Sequence, residues 1–370
     1  MKIKHEVSSQ IKPTFRDQKI SGIFDVPQSE SVVSNWEFDF PIEDKEWNVG
    51  LIVGASGAGK TTLSKVLFED AILHEGFNWP DDKSVISGFA DELSVKDISN
   101  ALNHVGFNSI TKWRIPFRSL SNGQKFRAEM ARIILESPKD RPVIVDEFTS
   151  VVDRQVAKAS SLAVQKYVRK QDKKFVAVSC HFDIAHWLQP DWILKITPSR
   201  CTFVYTRGLE RLRRPEIRLT IQRVHHSAWE LFKGHHYMSA DIHRAAECYV
   251  AFWDGTPIGF GSAIHFPHNV VKNLKRSHRT VVLPDYQGLG VGGAIQEAVG
   301  DHYIERGFRF TGTASHPAMI AYREHSPKWV CTRKASRAPI KGKSSKVTGQ
   351  SSNRLTASHE YRVGEWKKYV

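Results

Sequence analysis

The chain has 370 residues, of which 41% are hydrophobic and 25% charged, a composition typical of a globular protein with two or three domains. Its mean hydropathy is −0.38, and no run approaches the roughly 18 consecutive apolar residues of a membrane helix, so we expect no membrane-spanning, secreted or fibrous protein. The four cysteines are dispersed without a C-x-x-C pair, which indicates a reducing cytoplasm rather than a disulfide framework.

The net charge of +14 is concentrated in the second part of the chain. Residues 1–200 hold 27 Lys and Arg against 26 Asp and Glu, whereas residues 201–370 hold 26 against 13. Such a sharp change of electrostatic character near residue 200 predicts two modules with different partners.

The first informative stretch along the chain is an apolar strand that leads into a glycine-rich turn. Residues 51–53 suit a buried parallel strand, and Gly54-x-x-x-x-Gly59-Lys60-Thr61 matches the P-loop pattern. Glycines in such a loop let backbone N–H groups face phosphate oxygens, and the positive end of the following helix faces the same anion. Lys60 is expected at the β- and γ-phosphates, and Thr61 at Mg²⁺. The predicted nucleotide-binding residues are Gly54, Ser56, Gly57, Gly59, Lys60, Thr61 and Thr62.

Two later apolar strands end in residues that suit nucleotide hydrolysis. Residues 142–147 end in Asp146 and Glu147. A buried strand that delivers Asp146 to its carboxyl end places this carboxylate to hold Mg²⁺, and Glu147 can polarise the attacking water. Residues 175–181 form a further strand ending in His181, which we expect on the same edge as the P-loop and in reach of a γ-phosphate.

A fourth motif, Leu-Ser-Asn-Gly-Gln at residues 120–124, resembles the signature motif of ABC-type ATPases, and residues 146–153 resemble their Walker B motif and D-loop. The resemblance covers roughly residues 35–200. It implies an α/β P-loop fold that hydrolyses ATP in a homodimer, where the signature motif of one subunit faces the γ-phosphate bound by the other. The further nucleotide contacts that it implies are Ser121, Gly123, Gln124 and Asp153.

The match departs from the family pattern in two places. Asn122 stands where the family usually has a glycine, and residues 61–123 contain no glutamine for the family's glutamine loop, with Asp91 as one candidate substitute. The fusion of an ABC-type ATPase to a basic module indicates a nucleic-acid or assembly machine rather than the motor of a transporter. The aromatic residue that would stack on adenine is open among Trp36, Phe38 and Trp47.

The second module, residues 216–370, follows a predicted linker at residues 201–215. We predict a hairpin over residues 248–264, then a strand and an amphipathic helix separated by Gln-x-x-Gly-x-Gly at residues 287–292. A nest of backbone amides at such a turn can hold a diphosphate. A dinucleotide-binding unit is the alternative for this glycine pattern, but no repeated βαβ pattern follows it.

The order of hairpin, strand, glycine turn, helix and strand resembles motif A of the GCN5-related N-acetyltransferases (GNAT). This resemblance implies an α+β fold that binds acetyl-CoA or another acyl donor at Gln287, Gly288, Gly290 and Gly292. It also makes Tyr322 the candidate general acid toward the departing thiolate, with a packed aromatic residue as the alternative.

Residues 234–238 (Gly-His-His-Tyr-Met) and 315–317 (Ser-His-Pro) resemble the phage Mom-type branch of that family, whose members modify adenine in DNA. The resemblance implies a base-modification site with His236, Tyr237 and Ser315, at which iron is one candidate metal. The alternative is that the two histidines lie on the surface and that Tyr237 packs locally.

Residues 333–354 are rich in Lys, Arg, Ser, Thr and Gly, and basic segments of this kind bind phosphate backbones through charge. We therefore expect an N-terminal segment (residues 1–34), then a cytoplasmic, dimeric ABC-type ATPase domain joined to a GNAT-like acyltransferase that modifies a base in DNA or, less readily, RNA. The alternatives are an ATP-regulated N-acetyltransferase of proteins or small amines, and an ATPase whose second domain only grips nucleic acid.

Overall fold

The computed structural model describes residues 1–10, 12, 14–24, 31–197, 200–207, 217–236, 241–337 and 355–362. The chain forms two compact units. The first comprises Met1–Glu75, Ser137–Val151 and Val168–Arg214, and the second comprises Gly76–Glu136, Val152–Tyr167 and Pro215–Val370. The helical region that carries the signature motif therefore groups with the second module, and not with the P-loop.

The first unit begins with a two-stranded antiparallel sheet. Strand β1 (Lys2–Gln10) pairs with β2 (Ser31–Asp39), and helix α1 (Phe15–Phe24) lies between them in the sequence. We predicted residues 1–34 as a separate segment, but the pairing of Lys2 with Asp39 joins them to the ATPase sequence. Ile3 is also part of the core of this unit.

The main sheet of the first unit consists of β3 (Val49–Gly54), β4 (Ile72–His74), β5 (Val143–Val145), β6 (Phe175–Ser179), β7 (Trp192–Thr197) and β8 (Arg200–Tyr205). Their order is β4-β5-β6-β3-β7-β8, and all neighbours are parallel except β7 and β8. The strands β3, β5 and β6 are apolar runs buried along their whole length, as expected for a parallel sheet covered on both faces. Helices α2 (Lys60–Leu67) and α7 (Ile184–Leu188) belong to the same unit.

Aromatic side chains fill the core of the first unit. Trp192 is fully buried and packs edge-on against Phe40 and Trp47, with ring centroids 5.4 and 5.5 Å apart. Its indole occupies the space where a Cβ of Gly50 would stand, so that strand position accepts only glycine. Large aromatic side chains of this kind supply much of the apolar area that a domain buries.

The predicted linker at residues 201–215 begins later than we expected. Arg200–Tyr205 form β8, whose backbone pairs antiparallel with β7 and extends the main sheet past residue 200. Residues 208–215 lie outside the described part of the chain.

The helices of the second unit that come from the ATPase sequence are α3 (Val95–His104), α4 (Ile110–Trp113), α5 (Asn122–Glu136) and much of α6 (Arg154–Lys170). Each long helix has a side-chain cap that satisfies its first N–H groups. The Ser94 hydroxyl accepts from Asp97 N at the start of α3. The apolar face of α5 is buried, with Phe126, Met130, Ile133 and Ile134 at most 8% exposed.

The sheet of the second unit consists of β9 (Thr220–Val224), β10 (Glu247–Trp253), β11 (Thr256–His265), β12 (Leu274–Val282), β13 (Arg309–Ala314), β14 (Trp329–Arg337) and β15 (Leu355–Tyr361). It is accompanied by α8 (Trp229–Phe232), α9 (Val291–Glu305) and α10 (Pro317–His325). The order is β14-β15-β13-β12-β11-β10-β9, with β12 and β13 parallel and the other neighbours antiparallel. The predicted hairpin is β10–β11. Part of the predicted basic segment, up to Arg337, belongs to β14, and residues 338–354 lie outside the described residues.

The two parallel strands β12 and β13 pair over a short length. Their register runs from Leu274–Arg309 to Arg276–Thr311, although β12 continues to Val282 and β13 to Ala314. The sheet is therefore open beyond this register, and the carboxyl halves of both strands line one cavity there. None of the helices in the described part of the chain combines the length and apolar character that a bilayer crossing requires.

Candidate functional site

The P-loop of the first unit forms a cradle at the end of β3. Gly57 and Gly59 have φ values of 76° and 82°, which glycine adopts readily and which turn the loop back toward α2. The Lys60 ammonium donates to the carbonyl oxygen of Ala55 at 2.9 Å, so this side chain lies along the loop. A Cβ at Gly57 would meet no atom within 4 Å. The loop therefore has the backbone geometry, the cation and the space that a phosphate chain requires.

Two oxygen ligands meet beside this cradle. The Thr61 hydroxyl, in the first turn of α2, donates to the Asp146 carboxylate after β5 at 2.5 Å. Hydroxyl and carboxylate oxygens are the ligands that Mg²⁺ prefers, so these two residues suit a nucleotide-bound Mg²⁺. Glu147 is exposed and has a φ of 49°, a left-handed conformation that is uncommon for a non-glycine residue and that occurs often at functional sites.

The order of the strands explains why the remaining residues that we predicted for nucleotide hydrolysis lie at the same edge of the sheet. Strands β5, β6 and β3 are neighbours and parallel, so their carboxyl ends coincide. Asp146, His181 and the P-loop follow these three ends. Gly54 passes close to the backbone of β7, where a Cβ would lie 2.6 Å from the Ile196 oxygen. Of the other predicted loop residues, Ser56 is exposed and Thr62 is half-buried.

The three aromatic candidates for adenine stacking differ in position. The indole of Trp36 occupies the space where a Cβ of Gly59 would stand, and it also stacks on His5, with ring centroids 6.1 Å apart. Trp47 is 7% exposed and belongs to the core, and Phe38 packs against that core. Of the three, Trp36 is therefore the residue that contacts the P-loop while keeping part of its surface accessible.

The signature residues lie in the second unit at the start of α5. The Ser121 N–H donates to the Gln124 side-chain oxygen at 3.3 Å and the Gln124 N–H donates to the Ser121 hydroxyl at 3.4 Å, a reciprocal capping box. A Cβ at Gly123 would lie 3.1 Å from Val156. Asp153 accepts from the backbone N–H of Val156 at 3.0 Å, which makes it the cap of α6. Sequence reasoning gave these polar side chains nucleotide roles only and missed the capping.

The second unit contains a cavity of about 990 Å³ at the opening between β12 and β13. Its walls also include the first turn of α9, the start of α10 and parts of α3 and α6. The structure brings most of the predicted residues of this module to it: Gln287, Gly288, Gly290, Gly292, Ser315, Tyr322 and His236. Tyr237 lies outside the described residues.

The glycine turn leads into α9 along one wall of the cavity. Gly288 and Gly290 have φ values of 83° and 87°, and a Cβ at Gly290 would meet nothing within 4 Å. The first N–H groups of any helix lack acceptors within it, so the start of α9 suits an anion such as a diphosphate. The Gln287 side chain instead fixes the turn, because it accepts from Asn108 N at 2.8 Å and donates to the Val282 oxygen at 3.0 Å.

Tyr322 packs on Gly293 of α9, and its hydroxyl donates to the Glu297 carboxylate at 2.6 Å. Burial and this carboxylate raise the pKa of Tyr322, so the hydroxyl keeps its proton at neutral pH. Glu297 also accepts from Ser326 at 3.0 Å and from Lys328 at 3.1 Å. Ser326 and Lys328 therefore help to hold the hydrogen-bond partner of Tyr322.

The cavity is strongly cationic. Its wall includes basic side chains and histidines: Lys166, Arg276, Arg279, Arg323, Arg333, His104, His235, His236, His278 and His316. Among the described residues that line it, there is no Asp or Glu. His235, His236 and His316 belong to the two motifs already noted at residues 234–238 and 315–317. The other groups come from several strands and helices spread along the sequence, which is why no local motif revealed them.

Two of these residues, one half-buried and one buried, were not predicted as site residues. Burial, with Arg279 and Arg276 nearby, lowers the pKa of His278 to about 4, so its imidazole is neutral at pH 7. Arg323 is 2% exposed, and burial lowers its pKa to about 10, so the guanidinium stays charged. It donates to the Gln296 side chain at 3.2 Å, and its Nε and Nη1 have no hydrogen-bond partner among the residues that the structure describes.

The iron site receives no support from the structure. Within the described ranges, no three or more His, Cys, Asp or Glu residues cluster closely enough to hold a metal ion. The ring of His236 lies 5.8 Å from that of Trp229, which gives it a packing contact at the cavity wall.

Comparisons with known proteins identify the second module. Residues 213–325 match the family described as the acetyltransferase (GNAT) family, a span that includes the glycine turn and Tyr322. No curated protein matches the chain. The dimeric structure of MJ0796, described as a bacterial ABC transporter cassette, is 16% identical over 49% of this chain and 94% of its own, with a TM-score of 0.37. MJ1267, an ATP-binding cassette of an ABC transporter, is 16% identical over 45% of this chain and 83% of its own, with a TM-score of 0.36.

The chain thus joins an ABC-type ATPase fold to a GNAT domain. Four motifs in order, on a parallel sheet whose strand ends gather them, define the first part. The family match and the opened mixed sheet define the second part. The predicted fold class, an α/β P-loop ABC ATPase plus an α+β GNAT-like domain, is confirmed. The Mom-type branch finds no support in these comparisons.

Proposed function

We propose that this protein hydrolyses ATP through an ABC-type homodimer and transfers an acyl group from coenzyme A to nucleic acid, with a base in DNA as the favoured acceptor over RNA. The observation that carries the proposal is the cavity of the GNAT domain, whose described lining holds many cationic groups and no carboxylate. A diphosphate-binding turn and a protonated tyrosine lie in the same cavity.

The acyl transfer would use few groups of the protein. A nitrogen of the acceptor attacks the thioester carbonyl, so that a C–N bond forms and the C–S bond breaks. Tyr322 gives its proton to the departing thiolate, and the proton released by the nitrogen passes to water. The backbone N–H groups at Gly288, Gly290 and Gly292 would hold the diphosphate of the donor, and His236 and Ser315 would contact the acceptor.

The ATPase would work as its motifs imply. Lys60 and the P-loop would bind the phosphates, Thr61 and Asp146 would hold Mg²⁺, and Glu147 would orient the attacking water. His181 would contact the γ-phosphate, while Ser121, Gly123, Gln124 and Asp153 of the second subunit would close the site. Mg²⁺ supplies charge neutralisation at the phosphates. Trp36 is the residue that we assign to adenine stacking, because it lies against Gly59.

The charge of the cavity favours nucleic acid over the alternative acceptors. A protonated lysine or polyamine would be repelled by the cationic lining, whereas a phosphate backbone would be attracted. The excess of Lys and Arg over Asp and Glu in residues 201–370, 26 against 13, acts in the same direction. Because a base inside a duplex is hidden, an ATP-driven clamp could help to expose it. The free cysteines suit action in the cytoplasm.

Nucleoside mass spectrometry on DNA and RNA from cells that express the protein tests this function. We expect a new nucleoside in DNA that is lost in Gly290→Asp, which places a carboxylate at the coenzyme turn, and strongly reduced in Tyr322→Phe. Unmodified nucleosides in both pools, with acetyl-CoA binding intact, would favour a protein or small-amine acceptor. Absence of coenzyme binding would favour a domain that only grips nucleic acid.

Two further measurements separate the remaining interpretations. Binding of DNA should weaken steeply as salt is added, since phosphate contacts release counterions. Lys60→Ala should impair DNA binding or modification if ATP controls the second domain. If both are unchanged in this variant, the coupling of the ATPase to the acyltransferase is wrong.

A further inference from the structure

The glycine turn of the GNAT domain is in direct contact with helices of the ATPase sequence. Gly106, after α3, and Gly288 both have a φ of 83°, and a Cβ at Gly288 would lie 2.8 Å from the Gly106 Cα. The same Cβ would lie 3.5 Å from the Ala163 side chain on α6. Asn108 N donates to the Gln287 side chain next to it. The ATPase helices thus form part of the wall beside this turn.

These contacts bring two basic side chains to the cavity. Lys166 lies three residues after Ala163 and so on the same side of α6, and His104 lies two residues before Gly106. Both line the cavity. The His104 ring is held in place by stacking on Tyr167, with centroids 5.0 Å apart, and by a hydrogen bond between its Nδ1 and the Asn100 oxygen at 2.6 Å.

The two ends of the turn face different groups. Gly293, which follows the turn in α9, packs on Tyr322, the residue that we propose to serve the thioester. Gly288, at the other end, packs on Gly106, just after α3, and on Ala163 of α6. In an acyl-coenzyme A molecule, the thioester and the 3′-phosphorylated adenosine lie on opposite sides of the diphosphate. A donor with its thioester at Tyr322 and its diphosphate on the turn therefore has its adenosine end near α3 and α6.

We propose that Lys166 and His104 bind the 3′-phosphate of coenzyme A, so that the ATPase helical region completes the coenzyme site of the GNAT domain. This inference rests on the proposed acyl-coenzyme A donor. It assigns a ligand to two residues that neither the ABC motifs nor the GNAT match includes, since both lie outside residues 213–325.

Calorimetric titration of the full-length protein with coenzyme A and with 3′-dephospho-coenzyme A tests the proposal. We expect the wild-type chain to bind coenzyme A about tenfold more tightly, the effect of one charge-assisted contact to phosphate. Lys166→Ala should weaken coenzyme A about tenfold and leave the dephospho form nearly unchanged, and His104→Gln should act in the same direction. Lys96→Ala is the matched control, because Lys96 is exposed on α3 and does not line the cavity.

The outcomes are distinct. If wild-type protein binds both compounds equally, or if Lys166→Ala keeps the preference for coenzyme A, the assignment of the 3′-phosphate is wrong while the coenzyme site stands. If wild-type protein binds neither compound, the proposed acyltransferase function itself is wrong. A thermal unfolding profile of Lys166→Ala like that of wild type is the check on folding, and Lys166 is exposed, so no loss of packing is expected.

Discussion

Arg127, on the signature helix, holds the backbone of Asp285, a residue 158 positions later in the sequence. Its Nη2 donates to the Asp285 oxygen at 3.0 Å, and its Nη1 donates to the Pro284 oxygen at 2.7 Å. Arg127 is 1% exposed, and burial lowers its pKa to about 10, so the guanidinium remains charged at neutral pH. A charged group of the signature helix thus fixes the backbone of residues 284 and 285, which lead into the glycine turn at residues 287–292.

Removing this guanidinium should loosen that turn. Arg127→Ala removes a charged donor from two partly buried carbonyl groups, and each lost hydrogen bond costs about 1–3 kcal/mol. We therefore expect the free energy of unfolding to fall by about 3 kcal/mol. Amide hydrogen exchange of residues 285–289 should become faster. Arg127→Lys should rescue little, because an ammonium cannot donate in the geometry of the planar guanidinium.

The control for this change is Arg118→Ala. Arg118 is exposed, with a weak ion pair to Asp81 at 3.8 Å, so its loss should change stability by less than about 0.5 kcal/mol. Equal amide exchange rates at residues 285–289 in Arg127→Ala and wild type would contradict a role for Arg127 in holding the turn.

The close approach of Gly106 to the glycine turn can be tested by comparing alanine substitutions at Gly106 and at Gly307. A Cβ at Gly106 would lie 2.7 Å from the Gln287 oxygen, whereas a Cβ at Gly307 would meet nothing within 4 Å, and both residues have positive φ values, 83° and 77°. Alanine at either position costs about 1 kcal/mol of backbone strain. We expect Gly106→Ala to cost at least about 1 kcal/mol more than Gly307→Ala in urea unfolding. Equal losses of unfolding free energy in the two variants would mean that the backbone at Gln287 moves away from the added methyl group without cost.

Two tryptophans near the proposed nucleotide site offer a test that separates an effect on ATP affinity from an effect on folding stability. Trp36→Ala removes the aromatic face beside Gly59 and should weaken ATP about tenfold, since stacking of a base on an aromatic side chain contributes about 1–3 kcal/mol. Trp47→Ala should instead lower the free energy of unfolding by about 3–5 kcal/mol, because Trp47 is buried in the core. Titration with a fluorescent ATP analogue and thermal unfolding of both variants check this, and unchanged nucleotide affinity in Trp36→Ala would exclude its assignment to adenine.

The buried Glu360 on β15 predicts a pH-dependent stability. Burial by itself would raise its pKa, but hydrogen bonds from Arg309 at 2.8 and 2.9 Å and from Arg362 at 3.3 Å outweigh this and hold it below its ordinary value. A carboxylate with a lowered pKa stabilises the fold above its ordinary pKa, about 4.5, and loses that contribution as pH falls through the folded value.

Glu360→Gln should therefore lower the free energy of unfolding by about 2 kcal/mol at pH 7 and by clearly less near about pH 3. Arg309 is half exposed, so solvent screens part of its attraction and keeps the effect moderate. Urea unfolding at both pH values measures the difference. An equal loss of unfolding free energy at both pH values would show that the shape of the Glu360 side chain, and not its charge, determines the effect.

Local motifs were enough to predict which residues of the proposed nucleotide site lie together, whereas elements that depend on long-range strand pairing could not be predicted. The P-loop, Asp146 and His181 could be placed together because neighbouring parallel strands bring the residues after their carboxyl ends to one edge of the sheet. The linker at residues 201–215 was predicted from Pro and Arg content, but β8 is held by hydrogen bonds to β7, which composition does not reveal. Likewise, β1 is defined by its partner β2 and not by a pattern of its own.

The residue types alone predicted the two phosphate-binding turns, because glycine-rich loops and the helix starts that follow them are made by consecutive residues whose backbone geometry follows from their types. They also placed the positive charge in the second module, since charge is additive along a chain. The folded chain was needed to show that the signature helix groups with the GNAT domain. It also shows that Arg127 contacts the residues just before the glycine turn, Gly106 the turn itself and Lys166 the cavity. Such contacts join residues far apart in sequence, and they are selected by the packing of whole helices against a sheet, which no local pattern encodes.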